Sequence, residues 1–329
     1  MTSLVTGANG FVGAAVVRAL LKRDERVRAL TRPDSRLVNL EDLQAERVVG
    51  DITDSESLLA AMSGCRTVFH VAADYRLWAP DAEAMHRTNI EGSLKVLEAA
   101  VAAGLDRMVY TSSVAVLGIN ADRSPANEST PVTFADMIGP YKRSKFLAEQ
   151  AVRERAAELG FPVITVNPST PIGPGDFRPT PTGRIIVDAA SGRMPAYVDT
   201  GLNIVHVDDV AEGHILARDV GVAGERYILG GADLSLREIL AMVADCTGGK
   251  PPSVRLPRAI VFPIAVASEL SARMFGGEPR VTLDGLRMAK KHMYFSSEKA
   301  MSALGYRWRA PEQAIADAIA WFRAHGVIR

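Results

Sequence analysis

The segment VTGANGFVGAAV, residues 5–16, constrains this chain more than any other stretch. Gly7, Gly10 and Gly13 stand between a short apolar run and an apolar helical pattern. Glycines in that position permit a tight turn and a close backbone approach to a pyrophosphate, which then rests on the amino end of the helix. A glycine triplet alone says little. One that follows a strand and opens a helix has the context that dinucleotide binding requires. Asn9, Phe11 and Val12 fill the same turn and are expected to line the site with the three glycines.

Beyond this turn, short apolar runs alternate with helical patterns. TSLVTG (2–7), RVRALTR (26–32), RVVGD (47–51), TVFHVAA (67–73), RMVYTSS (107–113) and PVITVNP (162–168) read as strands. GAAVVRALLKR (13–23), SESLLAAMSG (55–64), AMHRTNIEGSLKVLEAAVAAG (84–104) and a segment from about 141 to 159 read as helices. Such alternation predicts βαβ units, hence an α/β fold with a doubly wound parallel sheet. After Pro168 the pattern loosens into a loop rich in Pro, Gly and Thr, and later elements are short and mixed. The expected organisation is a nucleotide-binding domain over 1–167 and 199–224. A smaller substrate-binding lobe is expected over 168–198 and 225–329.

The chain has 329 residues with 38 basic and 38 acidic side chains, so its formal charge is zero. Nothing in that balance points to nucleic acid. Cys65 and Cys246 lie far apart, which fits a reducing compartment and argues against a disulfide framework or a zinc site. With no leader-like amino terminus, a cytoplasmic location is expected. No apolar run approaches the roughly 20 residues of a membrane span, so no integral membrane segment is expected. The longest candidate, AIVFPIAVA (259–267), reads as a packed helix, with a lip over a pocket as the second reading. No spaced His/Cys/Asp cluster suggests a metal.

The end of the second strand bears on cofactor type. An acid there suits the ribose hydroxyl of NAD, and an arginine suits the 2′-phosphate of NADP. The sequence reads ALTRPD, so Arg32 favours NADP(H) over NAD(H). Asp51 and Ile52, at the end of the third strand, are expected to meet the adenine.

GPYKRSK (139–145) places Tyr141 four residues before Lys145, on one helix face. A free phenol has a pKa of about 10 and exchanges protons poorly at neutral pH. A cation about 4 Å away, at an effective dielectric near 20, favours the phenolate by about 4 kcal/mol, or roughly three pKa units. That would make Tyr141 a usable acid or base near pH 7.

The glycine triplet, HVAA, YTSS and the Tyr141–Lys145 pair together resemble the extended short-chain dehydrogenase/reductase family, whose fold is Rossmann-type. The likeness runs over nearly the whole chain and includes NIVHVDDVA and YFSSEKAMSALGYRWR. DYRLW and GLNIVHVDDVA look most like bacterial dihydroflavonol 4-reductase-like proteins and the hopanoid-associated sugar epimerase group. The resemblance implies Tyr141 as general acid/base and Lys145 as the residue that lowers its pKa and bonds the nicotinamide ribose. Ser113 would hydrogen-bond the substrate oxygen. Ala72, Ala73, Pro168 and Thr170 would lie along the cofactor, Asn89 would support the site, and His70 would pack near it. A homodimer through the two long helices is also implied.

Reductase and epimerase share such a site. Arg32, Leu202 in place of an arginine four before His206, and NPSTPIGP (167–174) all lean toward a reductase acting on a small or apolar substrate. A nucleotide-sugar epimerase remains the alternative, with Arg184, Arg193 or Arg280 available for a diphosphate. A dinucleotide-binding regulator without turnover comes third. Tyr75, Arg76 and Trp78 follow the fourth strand, where Tyr75 and Trp78 could wall the substrate. Met194 and Tyr197 are further candidates.

Overall fold

The structure is a computed structural model that describes every residue except 77, 79, 80, 278, 280 and 329, and leaves out the side chains of 273 and 275. Its strands are β1 (Thr2–Thr6), β2 (Arg26–Thr31), β3 (Glu46–Val49), β4 (Thr67–His70), β5 (Arg107–Thr111), β6 (Val163–Pro168), β7 (Thr170–Ile172), β8 (Ala196–Tyr197), β9 (Gly201–His206), β10 (Arg226–Leu229), β11 (Ala232–Ser235), β12 (Val254–Arg255) and β13 (His292–Met293). Its helices are α1 (Phe11–Leu21), α2 (Ser55–Met62), α3 (Ala82–His86), α4 (Gly92–Ala102), α5 (Gly139–Leu159), α6 (Pro181–Ala190), α7 (Val207–Val220), α8 (Leu236–Thr247), α9 (Arg258–Phe275), α10 (Leu283–Met288), α11 (Glu298–Leu304) and α12 (Pro311–Ala324).

The large sheet has seven parallel strands in the order β10-β6-β5-β4-β1-β2-β3. Its inner strands, such as TVFH and VITVNP, are buried at every position. That is the pattern of a sheet covered on both faces. Val16, Val17 and Leu20 of α1 pack with Val210, Ala211 and Ile215 of α7 on one face. Leu58, Leu97 and Val152 of α2, α4 and α5 pack on the other. Fully burying one such Leu contributes roughly 2 kcal/mol.

A smaller sheet is built on β9, which pairs with β11, β13 and β7. Ile186, Ile239, Ile315 and Phe322 of α6, α8 and α12 close its core.

Four expectations change here. The segment 199–224 divides between the two sheets, because β9 pairs in the small one while α7 packs on α1. RYIL (226–229), expected in the smaller lobe, is the edge strand of the large sheet, paired with β6. Strands β7 to β9 are thus an excursion within the β6–α7–β10 crossover.

The single helix expected over 84–104 is interrupted by a π-helical turn, Arg87–Glu91. Such turns widen a helix locally and re-aim one residue. Here the turn carries Asn89, which is sealed from solvent.

Finally, 259–267 is helical but not packed. Ile260, Phe262, Ile264 and Leu270 of α9 are each more than half exposed, and Ala265 is buried. Helix α9 rests on α10 along one side and presents the rest to solvent.

Candidate functional site

The order of the large sheet reverses between β1 and β4, and the carboxyl ends of these strands form the crevice where ligands of such sheets bind. Gly7 leaves β1 at φ +64°, and a Cβ there would stand 2.8 Å from the Ala72 backbone. A Cβ on Gly13 would collide with the Gly7 carbonyl oxygen. Only glycine lets the three backbones close into this cradle. Helix α1 starts from Gly10 with no side-chain cap and no acid in its first turn. Its free N–H groups and positive dipole end are therefore available to an anion, which fits a dinucleotide pyrophosphate. Phe11 and Val12 pack into the core behind the turn. Asn9 is fastened to the loop after β2 by bonds from its Nδ2 to the Arg36 carbonyl (3.3 Å) and from Asn39 Nδ2 to its own carbonyl (3.3 Å).

Arg32 is exposed at the end of β2. A second guanidinium, which the sequence reading missed, lies beside it. Arg47 Nε donates to Thr31 Oγ1 at 3.1 Å, and Nη2 reaches the Pro33 carbonyl at 3.5 Å. Asp51 Oδ1 is committed to the N–H and hydroxyl of Thr53, at 2.8 and 2.7 Å. Ile52 is buried against Gly92, where a Cβ would clash.

A directed chain of hydrogen bonds joins the cradle to α4. Ser93 Oγ donates to the Asn89 carbonyl (2.6 Å), so it accepts from His70 Nε2 (2.9 Å). His70 Nδ1 is then the acceptor for the Thr6 hydroxyl (2.7 Å). Thr6 Oγ1 in turn accepts the N–H groups of Val71 and Ala72 (3.2 Å each). Burial pushes His70 down to about 3, with the Lys145 ammonium adding to the effect, so the imidazole is neutral. His70 locks the strand ends rather than exchanging protons. Asn89 Oδ1 accepts from the Asp74 N–H (2.7 Å), and its Nδ2 donates to the Asp74 carbonyl and to Ser144 Oγ (2.9 Å each). Ser144 Oγ donates to the Tyr141 carbonyl at 2.9 Å. One buried amide thus sets both the loop after β4 and the first turn of α5.

Lys145 Nζ donates to the Thr111 carbonyl at 2.8 Å and lies 5.0 Å from the Tyr110 ring centre. Burial pushes this ammonium down to about 8, while Glu149, one turn along α5, works the other way. Glu149 Oε2 accepts from Asn167 Nδ2 (2.8 Å), which also donates to the Ser113 carbonyl (3.0 Å). Arg226 bonds the other carboxylate oxygen at 3.1 Å. Glu149, Asn167 and Arg226 also escaped the sequence reading. The i, i+4 spacing of Lys145 and Glu149 was the available signal.

Ser113 caps the short turn Val114–Val116 by accepting from the Ala115 N–H at 3.1 Å. Burial pushes the Tyr141 phenol up, against a smaller opposing influence of the nearby Ser113 hydroxyl. The expected net lowering of Tyr141 by Lys145 is therefore reversed. The ammonium is held on Thr111, and desolvation dominates.

Pro168 ends β6 and Thr170 opens β7, both beside the crevice. Tyr75 is 45% exposed and Trp78 half-buried, on a loop whose residues 77, 79 and 80 lie outside those described. Arg76 pairs with Asp74. Of the arginines considered for a diphosphate, Arg193 pairs with Asp188 at 2.8 Å, Arg184 is exposed on α6, and Arg280 lies outside the described residues. His206 caps α7 and meets Asp317 at 3.2 Å. Leu202 is buried in β9, and Met194 and Tyr197 are partly buried around β8. Among the described residues, no group of three or more His, Cys, Asp or Glu side chains could hold a metal ion. No helix among them is long and apolar enough to cross a membrane.

Residues 3–230 match the model of the NAD dependent epimerase/dehydratase family. The chain is 45% identical over 329 residues to the "Putative dihydroflavonol 4-reductase" of Synechocystis sp., covering 99% of this chain and 95% of that one. It is 36% identical over 330 residues to sterol demethylase protein B of Methylococcus capsulatus, covering both chains completely. Among solved structures, gox2253 superposes with a TM-score of 0.90 at 53% identity, covering 100% of this chain and 99% of that one. Together with the glycine cradle and the seven-stranded parallel sheet, these likenesses establish that the chain belongs to the NAD dependent epimerase/dehydratase family, as an oxidoreductase of the extended short-chain dehydrogenase/reductase type.

Proposed function

We propose that this enzyme is an NADP(H)-dependent reductase, in the manner of dihydroflavonol 4-reductase-like proteins, that reduces a ketone or oxidises the corresponding secondary alcohol of a small or apolar substrate. The observation that carries the reading is the meeting of Ser113, Tyr141 and Lys145 at the carboxyl end of β5, beside the glycine cradle. The large sheet would hold the cofactor, and the small sheet with its helices would cover the substrate.

When bound, the nicotinamide supplies or accepts the hydride. The chain handles the proton. Tyr141 donates to the carbonyl oxygen, and the Ser113 hydroxyl stabilises charge developing there. A phenol raised by burial is protonated at neutral pH, so the form that donates is the one present. Lys145, fixed on Thr111, supplies the positive field that keeps the resulting phenolate tolerable. Gly7, Gly10 and Gly13 admit the pyrophosphate, with Asn9, Phe11 and Val12 completing the turn. Arg32, seconded by Arg47, suits a 2′-phosphate. Asp51 and Ile52 would meet the adenine, and Ala72, Ala73, Pro168 and Thr170 would line the nicotinamide side. Tyr75 and Trp78 would line the substrate side.

The test is a paired titration with NADPH and NADH, followed by turnover of a carbonyl panel. NADPH should bind more tightly, and Arg32→Ala should cut that preference by about tenfold, the worth of one charge-assisted hydrogen bond. Tyr141→Phe should lower kcat by about 10²–10⁴ with cofactor binding intact. Tightly retained NAD, indifferent to Arg32, would replace this reading with the nucleotide-sugar epimerase that the family description also allows.

A further inference from the structure

Lys142 follows Tyr141 directly, in the first turn of α5, and is 8% exposed. Its side chain has no hydrogen bond or ion pair among the described residues. Desolvation, and then the charge of Lys291, push its ammonium down to about 8, and no carboxylate offsets them. A buried cation normally keeps a counter-charge. Here the charge that acts on it is a second cation, Lys291, which also acts on the Asp136 carboxylate just before α5.

Neighbouring contacts show where Lys142 faces. Phe146, one turn along α5, packs with Met293 against Val114, Val116, Leu117 and Phe295. Residues on that stripe therefore look toward the turn that follows Ser113 and toward β13. Lys291 stands at the junction of α10 and β13. The amino end of α5 has no side-chain cap and no acid in its first turn, so its N–H groups add positive potential. Asp284 touches Gly139 at this end, but it is bound by Arg287 at 3.0 Å. The Lys142 amine is not among the sealed polar atoms that lack partners, so it keeps solvent access.

We propose that Lys142, supported by Lys291 and the amino end of α5, is an anion-recognition site, and that the substrate turned over at Tyr141 carries a carboxylate or a phosphate. The inference rests on the reading of Tyr141 as the proton donor. The ammonium supplies a compact point charge, which suits either anion without imposing a planar fork. An anion held beside the turn that follows Ser113 would also orient the carbonyl against the phenol.

The test uses the full chain saturated with whichever nicotinamide cofactor it binds more tightly. The probes are inorganic phosphate and acetate, at an ionic strength fixed with chloride. Wild type should show a saturable rise in Tm with one or both probes beyond that with chloride. The tighter probe identifies the anion. Lys142→Arg should keep the response, and Lys142→Met should weaken it at least fivefold. Lys142→Met removes a buried charge, so folding should survive, and Lys142→Gln serves as the second neutral variant. A wild type that responds to neither probe overturns the proposal, as do neutral variants that respond like wild type. Tyr141→Phe should keep the anion response while losing turnover, so failure of the proton-donor reading would appear in turnover alone.

Discussion

Helices α5 and α9 invert each other. Helix α5 buries Lys142, Ser144, Lys145 and Glu149 beside Ala148 and Val152. Helix α9 leaves Ile260, Phe262, Ile264, Leu270 and Met274 more than half exposed. By residue type alone the roles would be exchanged. Helix α5 lies on the large sheet beside α4 and the π-helical turn, with partners waiting on each side. Ser144 meets Asn89, Lys145 meets Thr111, and Glu149 meets Asn167 and Arg226. Helix α9 has α10 along one side, and Pro263 interrupts its backbone bonding. Burial of a polar group follows from the partners brought to it. Exposure of an apolar group follows from the lack of an element to cover it.

The contrast can be tested from its largest effect to its smallest. Lys145 helps hold His70 neutral, and acid should expose the cost. The unfolded chain protonates this imidazole below about pH 6.5, while the folded chain does so only near 3. Stability should therefore be complete above pH 6.5 and fall toward pH 3, by roughly 4 kcal/mol from this group. His214, pushed down to about 4 by burial, adds to that slope. Asp176, raised to about 6, opposes it between 3.8 and 6. Urea midpoints taken across that range should flatten in His70→Gln, and an unchanged profile would remove His70 from the account.

Glu149→Ala is expected to cost about 3 kcal/mol in chemical denaturation, because Arg226 and Asn167 lose a buried acceptor. A loss below 1 kcal/mol would show that the carboxylate is dispensable. Ser144→Ala should cost about 1–2 kcal/mol by leaving one Asn89 N–H unpaired. It should also slow turnover, which a purely local effect on α5 would not do. At the small end, Ile264→Lys on α9 should change stability by less than about 0.5 kcal/mol. A large loss would mean that this face is covered in solution.

Much of the molecule was readable in the chain. The alternation of apolar runs and helical patterns encodes the parallel sheet, because periodicity reports which face of each element is buried. The glycines at 7, 10 and 13 and the four-residue step from Tyr141 to Lys145 are local spacings that geometry converts directly into a cradle and a shared helix face. Other features required contacts between distant residues. RYIL announces a strand, but only its pairing with β6 assigns it to the large sheet. Asn89 reads as a helical residue, and only the π-helical turn brings it to Asp74 and Ser144. The direction in which Tyr141 is shifted depends on desolvation by groups remote in sequence, and a spacing of four residues contains no measure of that. The unmatched charge of Lys142 belongs to the same class. Sequence determined which elements form and which faces they offer. Tertiary structure decided which neighbours those faces meet, because pairing and the loss of water both depend on atoms that the chain brings together only when folded.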